Sequence, residues 1–594
     1  MKKSFKKLFT LTTTALTLST VLAGPTASLV RAQDEESEGD VLDFSSVVEN
    51  EGEAIEGGTL RYALVSDTTF AGVLNNMLYS GKPDSEIINF FNPGLYGYDE
   101  NFAIDDSGFA DVEFDQENKQ VTITIPEGAT WHDGEAITID DVIFPYYVVG
   151  DPDYTGIRYG TDFQNVVGMD EYHAGEAEEI SGLERVDDYT LTITYKNFNN
   201  SLLQAGGGIS NYIEPEHILK DVPVAELEDN EYVRTNPVGF GPFKVETITP
   251  GEAVTFTAFD EYYDGRPNID EVVLEVVNPS TIVSELKAGN YDVASLPTDQ
   301  YDTYRDATNF STVGFLENAY TYIGFKQGTW DAENSEVVTE TDRPVNNKAL
   351  RQAMAYAVDN NAIATEFYYG IRQNANSLIT PNFTDYYNED QEGYNYEPEK
   401  AQQILADAGF VDNDGDGFVE DPNGEPFTLG FASMSGGETA EPIAQYYIQA
   451  WQQVGINVEL VDGQLMEFNS FYERLEADDP AIDVYQGAWG TGGDPNPSGL
   501  YGRTAAFNYT RWATDENDEL LAAIESDDSF DEEFRQQAFY DWQAYAMEEL
   551  PVIPTLFRYK LTAVNNRVSN WDTTIGNDLK WSDIYLLADS PEAE

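Results

Sequence analysis

The stretch VDNDGDGFVEDPNG, residues 411–424, sets aspartates at alternate positions. Asp412, Asp414 and Asp416 match the first, third and fifth places of a calcium loop of the EF-hand kind, with the Phe418 carbonyl at the seventh and Glu420 at the ninth. Oxygen donors at that alternation suit Ca2+ held as a fold-stabilising ion, with no cofactor required for activity. The twelfth place, where a bidentate glutamate belongs, holds Asn423, and 427–431 reads as a strand where a second helix would be needed. The same letters describe an Asp/Gly turn whose short side chains cap their own amides. Both readings stand, and neither makes the loop the function.

Other residues that could do chemistry are sparse. His132, His173 and His217 are the only histidines, cysteine is absent, and neither HExxH nor GxSxG occurs. With 108 acidic residues a glycosidase-like carboxylate pair can be drawn almost anywhere, so a secreted hydrolase gains nothing from their abundance. No catalytic set emerges, and the chain does not read as an enzyme. Against those acids stand 31 bases, a net charge of -77. That field repels nucleic acid and anionic lipid, draws in cations, and keeps the surface solvated in salt.

The N-terminus reads as an export signal over 1–32. Lys2, Lys3, Lys6 and Lys7 precede the apolar run 8–23, and Val30-Arg31-Ala32 offers small residues for cleavage. Leu22-Ala23-Gly24-Pro25 resembles a lipoprotein signal with proline where the lipidated cysteine belongs, so no anchor through cysteine is expected. Nor can disulfides staple the exported fold. Beyond the signal no run of about 18 apolar residues occurs, so no membrane span is expected.

Residues 33–56 are acidic and lack hydrophobic periodicity, which predicts a flexible spacer. The first half of the chain then alternates like strands: Gly57–Val65, Val121–Ile125, Leu191–Tyr195 and Val254–Phe259. The second half brings helices over 346–369, 397–410 and 441–454, the last ending at Gly455 before the strand 456–460. Helix–strand alternation in a chain too long for one core predicts α/β architecture with several domains.

Six segments, in order, carry a resemblance. They are Ile125-Pro126-Glu127-Gly128-Ala129-Thr130-Trp131-His132-Asp133-Gly134 with 137–142, Asn236–Phe243 with 262–267, Leu286–Ala294, 345–359, 398–410, and Ala488-Trp489-Gly490-Thr491-Gly492-Gly493-Asp494-Pro495. Together they resemble family 5 of the bacterial extracellular solute-binding proteins, whose oligopeptide-binding members serve ABC transporters. The resemblance implies an α/β fold of the periplasmic-binding-protein-like kind, of the large three-domain peptide-binding type, with two lobes around a cleft. Mapped here, domain I would comprise 57–97, 216–325 and 555–588, domain II 98–215 and domain III 326–554.

The resemblance further implies capture of oligopeptides by main-chain pairing, delivery to permease subunits, and a monomeric protein with no nucleic-acid partner. A peptide-signal receptor on the same scaffold would use the same cleft. Two segments match the pairing elements: Ser80-Gly81-Lys82 and Ala488-Trp489-Gly490, with Trp489 walling a side-chain pocket and Lys82 placed to meet a ligand carboxylate. Tyr320 and Tyr322 are further candidates for the cleft. Many members carry an aspartate three residues after the tryptophan that pairs with the peptide's α-ammonium; here that place is Gly492 and the nearest acid is Asp494. Either Asp494 reaches back to that role, or the peptide is held in relaxed register.

Overall fold

The computed structural model describes residues 44–594 apart from 341 and 578. The signal segment 1–32 and the start of the acidic spacer lie outside the described residues. The rest of that spacer is docked, which corrects the expectation of a loose segment up to residue 56. Val47–Val48 pairs antiparallel with Trp571–Asp572, and the Phe44 ring packs on Tyr301 and Tyr559. Three apolar side chains in an acidic stretch are enough to hold it down once a matching edge is present.

A sheet of 11 strands forms the frame. In chain order they are β1 (Thr59–Val65), β2 (Phe243–Thr249), β3 (Ala253–Ala258), β4 (Glu271–Val277), β5 (Val293–Leu296), β6 (Phe310–Phe325), β7 (Gln373–Asn374), β8 (Leu429–Ala432), β9 (Val458–Leu460), β10 (Val484–Gly490) and β11 (Val552–Asn565). Their spatial order is β9-β8-β10-β6-β11-β5-β1-β4-β3-β2, with β7 paired to β11. β1 lies parallel to β4 and β5, whereas β6 and β11 run antiparallel down the middle. A separate four-stranded antiparallel sheet, ordered Asp111–Asp115, Gln120–Thr124, Thr190–Thr194, Leu183–Arg185, carries its own core around Trp131, Tyr146 and Tyr195.

The two long strands pass from one core to another. Val313 on β6 and Val564 on β11 belong to the core around Leu60, Phe90 and Phe256. Further along, Ile323, Ile553 and Leu556 belong to the core around Trp451 and Phe431, while Tyr320, Tyr322 and Phe557 pack with Trp542 and Phe539. Between these stretches the pairing slips: Leu316 faces Tyr559, and the next pair is Tyr320 with Phe557. Three residues of β6, Glu317–Ala319, therefore bulge opposite Arg558. A second irregularity falls at Pro554, which has no N–H to give to the ladder.

Local chemistry explains how the pieces dock. Thr138 caps the helix Ile139–Gly150, and Asp141 in its first turn accepts the Thr138 amide at 2.9 Å. The preceding Trp131–Gly134 turn closes on the segment 239–243. The His132 amide donates to the Gly239 carbonyl at 2.9 Å, its Nε2 bonds the Gly241 carbonyl at 2.9 Å, and its ring sits edge-on to Phe259. Two of the six recognised segments are thus halves of one joint. No helix among the described residues is long and apolar enough to cross a membrane.

Candidate functional site

The end of β10 holds the site together. Trp489 faces Tyr320 across the strands, and Gly487 faces Tyr322. A Cβ on Gly487 would stand 2.8 Å from the Tyr322 ring, so glycine there lets the phenol lie flat over the strand. Trp489 stacks near-parallel on Tyr322 and on Tyr509 and meets Phe507 edge-on. Its indole is half-buried, packed against these rings and lining a cavity.

Beyond the strand the chain turns through Thr491 and Gly492, and the β6 bulge fixes that turn. The Thr491 amide donates to the Asn318 carbonyl at 2.8 Å, and Asn318 Nδ2 donates to the Gly492 carbonyl at 2.7 Å. Asn382 Nδ2 and Thr380 Oγ1 donate to Asn318 Oδ1 at 2.9 and 3.3 Å, locking the amide. Gly492 has a φ of +67°, in the left-handed region, and nothing lies within 4 Å of where a Cβ would stand.

Two large cavities flank this turn. The first, about 950 Å³, is lined by Tyr320, Gly490, Asp494 and Phe507. Its charged lining is mainly acidic (Asp162, Asp494, Asp518, Glu525), and its two cations are occupied: Lys196 with Asp170 and Arg503 with Asp515 and Asp518. Asp494 is half-buried, and desolvation pushes its carboxyl up to about 6 although the Arg535 guanidinium acts in the other direction. The second cavity, about 1060 Å³, is lined by Lys82, Thr321, Ala488, Trp489, Phe468 and the loop 433–437. Four cations and two acids face it.

The expected residues divide between these spaces. Lys82, Ala488 and Trp489 line the second cavity, and Tyr320, Gly490 and Asp494 line the first. Tyr322 lines neither; it is buried beneath Trp489 as backing. Tyr320 is fully buried, its hydroxyl 2.9 Å from that of Tyr501, which also lines the first cavity. Ser80 and Gly81 line neither cavity: Gly81 caps the helix Lys82–Phe91 and accepts the Asp84 amide. None of the three histidines lines either of these two cavities; His173 bonds the Gly150 carbonyl and His217 the Asp133 carboxylate. Arg372, Arg558, Lys560 and Phe468 were missed. The run Phe557-Arg558-Tyr559-Lys560 could have shown Arg558 and Lys560, since two cations at strand spacing are unusual in so acidic a chain; Arg372 and Phe468 carry no such signal.

The 411–424 loop lies outside both cavities. Oxygens of Asp412, Asp414 and Glu420 gather within 4.8 Å of one another, while Asp416 is not part of that group. The carboxylates are also engaged locally: Asp412 accepts the amides of Gly415 and Gly417, Asp416 that of Phe418, and Glu420 that of Asn413. An oxygen-only set of this kind fits a hard cation such as Ca2+. Asn423 bonds Asp421 and takes no part.

Residues 109–510 match the family described as bacterial extracellular solute-binding proteins, family 5 Middle. The chain belongs to that family. It is a solute-binding protein of the ABC-transporter type and not an enzyme, as the absence of a catalytic set in the sequence led us to expect. It is 30% identical over 499 residues to the oligopeptide-binding protein OppA of Lactococcus lactis subsp. cremoris, covering 83% of each chain. Lactococcal OppA, solved with an endogenous peptide in the closed conformation, superposes with a TM-score of 0.80 at 29% identity, covering 89% of this chain and all of that one. NikZ from Campylobacter jejuni, solved with Ni(L-His), reaches 0.68 at 20% identity over 89% of this chain and all of NikZ, a likeness of fold alone. The α/β solute-binding fold expected from the motif series is therefore the fold observed.

Proposed function

We propose that this protein captures oligopeptides outside the cell in the cleft beside Trp489 and delivers them to the permease of an ABC transporter. The observation that carries this reading is a free strand edge. β8 pairs with β10 only as far as Ala432 and Tyr485, whereas β6 follows β10 to Gly490. From Gly487 to Trp489 the other edge of β10 faces the second cavity. An extended peptide can add there as a further strand, giving its amides partners without any reading of side chains. The cavities on either side offer space for side chains and water. Similarity to the lactococcal protein solved with an endogenous peptide supports the same choice. No histidine or cysteine lines either cavity, which disfavours nickel of the kind NikZ carries as histidine complex.

Asp494 is poorly suited to grip an α-ammonium. Its carboxyl accepts the Asn496 amide and lies in the field of Arg535, so its charge is already shared. The peptide is then held along its backbone and not by its first residue. With no cysteine in the chain, a thioether-linked lipid has no point of attachment.

Mass spectrometry of ligand retained through purification, followed by calorimetry with synthetic peptides, tests the reading. Peptides of mixed sequence are expected, with micromolar or tighter Kd. One defined sequence would point to a signal receptor on the same scaffold, and retention of a sugar or metal complex with no peptide binding would overturn the proposal.

A further inference from the structure

The second cavity is lined by more cations than acids, in an acidic protein. Lys82, Arg372, Arg558 and Lys560 line it, against Asp299 and Glu317, in a chain with 31 bases and 108 acids. The first cavity has the opposite balance, and its cations are already paired.

The backbone sets two of them against each other. β7 pairs antiparallel with β11, Gln373 opposite Phe557 and Asn374 opposite Leu556. One step further along that register places Arg372 opposite Arg558. Like charges directly across a ladder repel and destabilise the pair unless an anion lies between them. The protein supplies only part of one: Glu317, on the β6 bulge, stands 3.5 Å from Arg558. Arg372 forms no ion pair among the described residues, and its buried Nε has no hydrogen-bond partner. Its guanidinium is held over the Tyr368 ring at 3.9 Å, which fixes its plane without neutralising it. Burial presses against its positive charge, as does the neighbouring Arg558, while Tyr368, Glu317 and Asp299 favour it only in part. Lys560 likewise forms no ion pair among the described residues and lies 6.0 Å from the Phe315 ring. Lys82, at the mouth, is 72% exposed and only 3.8 Å from Glu86.

We infer that this cavity selects peptides bearing acidic side chains, whose carboxylates bridge Arg372 and Arg558. The inference rests on the peptide-binding reading and names its substrate class. A planar carboxylate with two oxygens meets guanidinium groups in bidentate fashion, which neither an amide nor a hydroxyl can match. Four cations are more charge than one chain end needs, so side chains are the match and not the terminal carboxylate. The surrounding charge of -77 would otherwise repel acidic peptides, and the local cluster reverses that sign where the ligand lies.

Calorimetry with a peptide series of one length, differing only in Glu, Gln or Lys at each internal position, decides the matter. At one or two positions Gln is expected to weaken binding about tenfold relative to Glu, and Lys further, with the difference shrinking as salt rises. In Arg372→Gln and Arg558→Gln the Glu-to-Gln ratio is expected to fall towards one. Glu317→Gln, which removes the internal competitor, is expected to raise it. Equal binding of Glu and Gln peptides would overturn this inference while leaving peptide capture intact. Failure of every peptide to bind would overturn the underlying reading instead. Loss of the acidic preference on amidating the C terminus alone would assign the cations to the chain end and sink the side-chain claim.

Discussion

Trp489 lies over the phenol of Tyr509 with ring centroids 5.6 Å apart and planes 17° from parallel. Tyr322 stacks on it as well, at 6.5 Å and 11°. These rings make the tryptophan a rigid wall, because its rotamer is fixed before any ligand arrives. Trp489→Ala is expected to weaken peptide binding by about 10- to 100-fold, or roughly 1.5–3 kcal/mol, as a buried aromatic anchor does. Calorimetry reads the affinity and thermal unfolding reads the fold. A lowered melting midpoint with unchanged affinity would make Trp489 a core residue and remove it from the site.

Gly492 offers a way to add what the cleft lacks. Its backbone is left-handed, with open space where a side chain would stand, and Asp tolerates that conformation better than most residues. For the present protein, acetylating a peptide's N terminus is expected to change Kd less than threefold. In Gly492→Asp, free N termini should gain about tenfold over acetylated ones, at a cost of roughly 1 kcal/mol in stability. A sharp loss on acetylation in the unaltered protein would show that Asp494, or another acid, already grips the ammonium.

Much of this could be read from the letters, and the remainder shows what periodicity cannot carry. Strands such as Thr59–Val65 and Thr190–Thr194 show themselves because one face is buried and the other is not. Trp489 and Asp494, which line the two cavities, stand out in the letters because a glycine-rich turn after a tryptophan is distinctive. The opposition of Arg372 and Arg558 could not be found that way. It joins residues far apart in sequence through a register set by β7 and β11, and β7 is two residues long with no pattern of its own. The docking of 44–56 was hidden for a similar reason, since three apolar side chains among acids give no period. Tyr322 misled because alternation shows which face a residue shares, not whether Trp489 covers it.

The joint at His132 should make stability depend on pH. Burial holds this imidazole neutral, with its pKa lowered to about 4. The unfolded chain gains a proton as pH falls through the ordinary value of about 6.5, and the folded protein does not until about 4. Stability from this group is therefore complete above about pH 6.5 and lost as pH falls towards 4, by about 3 kcal/mol at most. His132→Gln keeps a donor for the Gly241 carbonyl and cannot titrate. Carboxylates contribute to acid unfolding as well, so the reading is the difference between the two proteins. That difference should change between pH 6.5 and 4 and be flat above 7; a constant offset would remove His132 as the cause.

The acidic loop separates stability from capture. We propose that Asp412, Asp414 and Glu420 hold Ca2+ as a structural ion and that ligand binding does not require it. Three carboxylates within 4.8 Å of one another repel. The amides they accept hold the turn but offset that repulsion only in part. At 100 times its Kd a bound ion adds about 2.7 kcal/mol, and in a chain of this size that raises the melting midpoint by about 2 °C. Calcium added after chelation should produce that rise in the unaltered protein and less of it in Asp412→Asn. Peptide affinity should be the same with and without the ion, because the loop lines neither cavity. An unmoved midpoint would leave the loop as a turn held by its own amides, and a calcium-dependent affinity would tie it to the cleft.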